Sequence, residues 1–388
     1  MIFKKDYPMD YIKSFEQDLA YYFSEVLEKP LAKPLWIYLS LSHKCTYRCQ
    51  MCGVVNILQG HELSVPAVKN IFDVIAGWGW DLTVVLTGGE IFLRSDIFEI
   101  IQYGAAKGLK IEAVSNGALI TKELADKIIS SGLKNIAISL DGAKEETHDT
   151  IRQKGAFHKA ISAIQNLVES KLKSGSGPQI SVWVTIMREN VSELFNIIPL
   201  VKEAGVECLV YHPVIVNQDD MQNTSSIARF WLKDNDIELL KTQIDKIVDY
   251  QQKHGLVAFL HDPYMWIRHF KGELAKKDWK CNPFVFLNVG PDGDVRSCGA
   301  AFGNIQKLGL DECLKTKEAD QARRTMKNCQ KPCLQTCWAN PQSDSLTGII
   351  NTLIDNLRKD RLDKQSKKQL LLTALSKLTS YEEMLKNA

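Results

Sequence analysis

The sequence has no run of about 18 uninterrupted apolar residues, so nothing in it reads as a membrane-spanning helix. Its first residues, MIFKKDYPMDYIKSFEQDL, are charged throughout and lack the apolar core of a secretory signal, so a cytoplasmic location is expected. There is no internal repeat and no low-complexity tract. Charge of one sign is not in excess: the formal net charge is +2, and no basic run is dense enough to mark nucleic acid as a partner. With 45% hydrophobic and 24% charged residues, the composition is that of a globular protein able to bury a large core.

Cysteine is plentiful, with ten residues in 388. The cytoplasm keeps thiols reduced, so a disulfide framework is not expected there, and clustered cysteines read as metal ligands. The rest of the chain shows a regular alternation. Residues 1–34 read as an N-terminal helical extension. Apolar runs suited to buried parallel strands then follow at 36–42, 82–86, 110–115, 135–140, 180–187 and 206–211. Helical patterns lie between them, near 65–78, 95–107, 121–131, 156–171 and 190–204, with Ser64, Ser95 and Thr121 as candidate N-caps. This order predicts βαβ units and an α/β fold: a partial (β/α)6 TIM-like barrel over 35–215. Residues 216–270 read as a linking helical segment with a long helix at 236–254. Residues 271–340 read as a small cysteine-rich domain with a β-hairpin at 284–298, around Gly-Pro-Asp-Gly-Asp. Residues 341–388 read as a helical tail.

The sequence SHKCTYRCQMCG places Cys45, Cys49 and Cys52 just after the first strand, at the end where barrel enzymes hold their chemistry. Thiolates this closely spaced let one loop wrap an iron–sulfur cluster. The alternative is a zinc site, which needs a fourth ligand such as His43. The second strand runs into Thr87-Gly88-Gly89-Glu90, where a glycine pair permits close backbone approach. The third ends in Ser115-Asn116-Gly117. The fourth ends in Ser139-Leu140-Asp141-Gly142, followed by His148-Asp149 and Arg152.

Taken together, these motifs resemble the radical S-adenosylmethionine (SAM) superfamily over residues 35–215. The resemblance implies that Cys45, Cys49 and Cys52 hold three irons of a [4Fe–4S] cluster, with SAM chelating the fourth. One-electron cleavage of SAM would give a 5′-deoxyadenosyl radical that abstracts hydrogen from a substrate. Gly88, Gly89 and Glu90 would contact the SAM amino group, and Ser139 and Asp141 its ribose and methionine parts. Ser115 and Asn116 fall at the S/T-N-G turn, and Arg152 is a candidate partner for the SAM carboxylate or a surface charge. An electron donor such as flavodoxin or ferredoxin is implied as a partner, and a peptide or a sugar- or alcohol-type molecule as the substrate. The reading from another class is a non-catalytic iron–sulfur electron carrier or redox sensor.

A second cysteine set comprises Cys281, Cys298, Cys329, Cys333 and Cys337. Cys281 and Cys298 bracket the hairpin, and the run CQKPCLQTC supplies the others. This set resembles the twitch or SPASM extension of that superfamily and implies one auxiliary [4Fe–4S] cluster with one thiol left over. A zinc knuckle is the alternative. Cys208 and Cys313 read as buried structural thiols. His212, at the end of the sixth strand, reads as substrate-facing or structural. The basic, Leu-rich stretch 355–388 reads as a helix docked on the barrel, or as one making peripheral contact with a membrane or partner.

Overall fold

The structure, a computed structural model, describes residues 11–53, 62–214, 229–275, 281–329, 334, 345–358 and 363–386. Helix α1 (Tyr11–Leu27) is followed by an alternation of strands and helices. These are β1 (Trp36–Ser40), α2 (Val65–Gly77), β2 (Thr83–Thr87), α3 (Ile97–Ala106), β3 (Lys110–Ser115), α4 (Lys122–Ile129) and β4 (Asn135–Ser139). Then come α5 (Glu145–Ile151), α6 (Ala156–Ser174), β5 (Gln179–Ile186), α7 (Ile197–Glu203) and β6 (Cys208–Pro213). All six strands run parallel and in sequence order.

The strands form where continuous apolar runs can be buried on both faces. One face packs on the helices through Ile37, Leu39, Val84, Leu86, Ile136, Ile138, Val182 and Val184, each at most 1% exposed. Side chains alternate across a strand. The other face therefore carries Tyr38, Thr87, Ser139, Trp183, Thr185 and His212, a mixed aromatic and polar lining.

Ser64 and Thr121 cap α2 and α4 as expected, accepting from the backbone N–H of Ala67 and Leu124. Ser95 does not cap α3. That helix begins after Asp96, whose carboxylate is occupied by the Arg94 guanidinium at 2.8 Å. The helix expected at 190–204 opens as a 3-10 turn, Val191–Asn196, before α7. Pro199 lacks an N–H and is tolerated only in a first helical turn, which sets where α7 starts.

Helix α8 (Asp234–His254) leads to a short seventh parallel strand, β7 (Val257–Phe259), beside β6, and to α9 (Tyr264–Phe270). The expected hairpin is present as β8 (Phe286–Val289) and β9 (Asp294–Ser297), extended by a third antiparallel strand, β10 (Ala300–Asn304). Strand β8 pairs in parallel with β1, so the described strands form one ten-stranded sheet, β10-β9-β8-β1-β2-β3-β4-β5-β6-β7. The hairpin thus continues the sheet edge that β1 would otherwise expose. Helices α10 (Leu310–Cys313) and α11 (Lys317–Lys327) follow.

The N-terminal helix and the tail meet. Phe15, Leu19 and Phe23 of α1 pack on Ile349 and Leu353 of α12 (Leu346–Arg358) and on Leu370, Ala374 and Tyr381 of α13 (Lys364–Lys386). Phe23 and Tyr381 stack at 4.1 Å, 12° apart. No helix of the described residues is long and apolar enough to cross a membrane.

Candidate active site at the C-terminal strand edge

The C-terminal ends of the parallel strands bring the sequence motifs to one edge. The loop after β1 lies over the turn after β2. Gly89 N–H donates to Ser42 O at 2.7 Å, and Glu90 N–H donates to Lys44 O at 2.8 Å. A Cβ at Gly89 would sit 1.9 Å from Lys44 O, and one at Gly88 (φ +125°) 2.3 Å from Ser42 O. The glycine pair is required because the cysteine loop passes directly over it. The loop's far side is held by Gln50 N–H donating to Ile151 O at the end of α5, at 3.0 Å.

The three thiols share one small apolar cluster with Tyr47, Met51, Ala118 and Ala156. Burial pushes the Cys49 thiol up to about 11, so without a metal it stays protonated at neutral pH; Arg152 acts against that shift. The Tyr47 hydroxyl in the same patch is buried without a hydrogen-bond partner, and burial pushes it up to about 12. An unpaired buried hydroxyl costs about 1–3 kcal/mol, and a group bound beside the thiols could supply its partner. Among the described residues no three His, Cys, Asp or Glu side chains converge on a single ion. Three soft thiols on one loop fit a cluster held by three cysteines, with its fourth iron left to another ligand.

Two buried carboxylates lock this edge. Glu90 is 1% exposed; it accepts from Ser115 Oγ (2.9 Å) and Phe92 N–H (3.3 Å) on one oxygen, and from Asn116 N–H (2.9 Å) on the other. Burial raises its pKa, and the three donors oppose the shift. Asp141, fully buried, accepts from Thr185 N–H at 2.8 Å and from Arg152 Nε–H at 2.6 Å. Both acids therefore staple neighbouring strand ends together, β2 to β3 and β4 to β5, each of their oxygens accepting from at least one protein donor.

The residues around them have equally specific tasks. His148 is fully buried and its Nδ1 accepts from Asp141 N–H at 3.0 Å. Burial and Arg152 lower its pKa to about 4, so it is neutral. A Cβ at Gly142 would meet His148 N at 2.6 Å, which accounts for the glycine after Asp141. Asp149 accepts from Phe157 N–H at 2.8 Å at the start of α6. Ser139 closes β4 on the open face, beside Trp183 in register. His212 lies on that face, with Nε2 3.5 Å from Thr185 Oγ1 and its ring against Trp183; burial lowers its pKa.

Two positioning residues escaped the sequence reading. Buried Arg94 donates to Leu41 O and Leu63 O, tying down the start of the cysteine loop. Buried Asn190 donates to Asp141 O (2.7 Å) and Thr185 O (2.8 Å). Neither belongs to a spacing pattern, and only tertiary contact reveals them.

Of the second set, Cys281 is buried and Cys298 and Cys329 are half-buried, while Cys333 and Cys337 lie outside the described residues. Cys298 (φ +48°) and Gly299 (φ +79°) form the two-residue turn between β9 and β10, where both positions need a left-handed backbone. Cys208 and Cys313 are buried in the core, and burial raises both thiols, Cys208 to about 12.

Residues 39–198 match the sequence model of the radical SAM superfamily. Over these residues the chain carries a radical SAM domain. Its cofactors are accordingly SAM and a [4Fe–4S] cluster, for which the edge offers the Cys45, Cys49 and Cys52 thiols. Among similar radical SAM proteins, an AdoMet-dependent heme synthase of Methanosarcina barkeri is 30% identical over 46% of this chain and 50% of its own. A Fe-coproporphyrin III synthase of the same organism is 27% identical over 82% of this chain and 77% of its own. The chain thus spans half the length of the first of these relatives. The solved structure of anSMEcpe with AdoMet and the Kp18Cys peptide shares the fold at TM-score 0.59 and 14% identity, over 92% of this chain and all of that one.

Proposed function

We propose that this radical SAM protein is an enzyme that cleaves SAM reductively and abstracts hydrogen from a C–H bond of a bound substrate, most simply a peptide. The observation that carries the reading is the convergence of the Cys45–Cys49–Cys52 loop, the Gly88–Glu90 turn, the Ser115–Gly117 turn and the Ser139–Gly142 turn at one strand edge. When bound, the cluster and SAM supply a one-electron cleavage that delivers a carbon radical. The chain's own part is to hold and shield. The three cysteines bind the cluster, Arg94, Glu90 and Asp141 fix the loops around it, and Ser139, Thr185, Trp183 and His212 line the face where substrate would enter. Closing that face over substrate would exclude water from the radical.

The peptide substrate is supported by the anSMEcpe structure that holds one. A tetrapyrrole is the second reading, supported by the porphyrin relative that aligns along most of the chain. Residues 271–340 would hold one auxiliary [4Fe–4S] cluster on Cys281, Cys298 and two of Cys329, Cys333 and Cys337; this reading is supported by the left-handed backbone at Cys298. Electrons would come from a small carrier such as a flavodoxin or ferredoxin.

Anaerobic reconstitution with iron, sulfide, SAM and dithionite tests the proposal. The expected product is 5′-deoxyadenosine, abolished by Cys45→Ala. No product, or product that survives Cys45→Ala, overturns it, and an electron carrier or sensor then becomes the reading. Peptide and iron coproporphyrin substrates are separated by which of them stimulates product formation.

A further inference from the structure

The two buried carboxylates of the strand edge do more than hold strands. Each binds a residue whose side-chain nitrogen reaches one sulfur of the triad. Glu90 accepts from Asn116 N–H at 2.9 Å, and Asn116 Nδ2 lies 3.6 Å from Cys45 Sγ. The same Nδ2 donates to Thr46 Oγ1 at 3.0 Å, while Asn116 Oδ1 accepts from Ala118 N–H at 2.9 Å, so the amide orientation is set on both sides. Asp141 accepts from Arg152 Nε–H at 2.6 Å, and Arg152 Nη1 lies 4.0 Å from Cys49 Sγ. The Arg152 side chain is only 10% exposed and Asn116 7%, so neither donor is averaged away by water. Asp141 thus holds the guanidinium itself, while Glu90 holds the Asn116 backbone from which the amide reaches Cys45.

Reduction adds negative charge to an iron–sulfur cluster and its thiolates. Donors aimed at the sulfurs stabilise that form and raise the potential, and they act more strongly where the surroundings are dry. A fixed guanidinium adds a full positive charge to the same effect.

Resting on the cluster assignment above, we propose that Asn116 and Arg152 set the reduction potential of the triad cluster by donating to Cys45 and Cys49, with Glu90 and Asp141 as positioning residues that act through them. This gives Arg152 and Glu90 a role that precedes SAM binding.

The test is a potentiometric titration of the reconstituted full chain without SAM, read by electron paramagnetic resonance, the signal being assigned to the triad by its loss in Cys45→Ala. Asn116→Leu and Arg152→Gln are each expected to shift the midpoint to more negative potential at unchanged iron content. Arg152→Lys, which keeps the charge, is expected to stay closer to the parent. If Asn116→Leu loses iron, Asn116→Gln, whose longer amide is displaced from Cys45, replaces it with the same expected shift. Midpoints that stay at the parent value in the SAM-free protein overturn the proposal, and Arg152 then acts on SAM alone. A chain in which no signal depends on Cys45 overturns the cluster assignment instead, so the two failures are distinct.

Discussion

The two cysteine regions of this molecule are built on opposite terms. At the triad edge, each buried acid is satisfied by the protein: Glu90 by Ser115, Asn116 and Phe92, and Asp141 by Thr185 and Arg152. The scaffold that presents Cys45, Cys49 and Cys52 is therefore knit into four strand ends. In the C-terminal set, Cys298 occupies a two-residue turn with a left-handed backbone at φ +48°, a conformation that favours glycine or asparagine. A cysteine kept there at a cost in backbone energy points to a role for its sulfur. The contrast teaches that the first site is organised by polar contacts among protein groups, whereas Cys298 of the second stands on a backbone conformation that only a turn imposes.

The largest expected effect breaks the first region. Asp141→Ala leaves the Arg152 guanidinium buried and unpaired, and should cost about 3–5 kcal/mol in urea unfolding of the metal-free chain. A loss below about 1 kcal/mol would mean that the edge is not held by this pair.

A smaller effect concerns acid. His148 titrates near 4 in the fold and near 6.5 in the unfolded chain, so the fold favours its neutral form. Its contribution is complete above about pH 6.5 and is lost as the pH falls towards 4. The fall from about 6.5 to about 4 corresponds to about 3 kcal/mol. His148→Gln should flatten the stability difference between pH 7 and pH 4.5; an equal difference in parent and variant would show that other groups control it.

The smallest effect has the opposite sign and belongs to the second region. Cys298→Gly should stabilise the metal-free chain by up to about 1 kcal/mol, because glycine adopts the left-handed backbone without steric cost. The same change should lower the iron bound per chain without removing SAM-dependent chemistry at the triad. Destabilisation, or retention of all iron, would remove the distinction between the regions.

The six strands of the parallel sheet were legible because each is a continuous apolar run between turn signals, as at Thr83–Thr87 and Asn135–Ser139. Strand β7 is three residues long, and β10 reads Ala-Ala-Phe-Gly-Asn, too brief and too mixed to show a period. That β8 lies beside β1 is a matter of register between distant segments, which no local pattern carries. The same holds for the packing of α1 on the tail helices, where Phe15 and Leu19 find Leu370 and Ala374 across most of the chain. At the site, the cysteine spacing and the glycine turns were readable because they are local. The acids were readable as members of motifs, and only the fold shows that Glu90 and Asp141 also accept from protein donors on neighbouring strand ends. The fold adds that the glycines at 88 and 89 admit the close passage of the cysteine loop.

The central claim is that SAM binds at the triad and not at the C-terminal set. It is tested most directly by the electron paramagnetic resonance spectrum of the reduced, reconstituted chain before and after SAM is added. The account predicts a SAM-induced change of line shape that Cys281→Ala preserves and Cys45→Ala abolishes. A spectrum indifferent to SAM, or a change that survives Cys45→Ala, would contradict it.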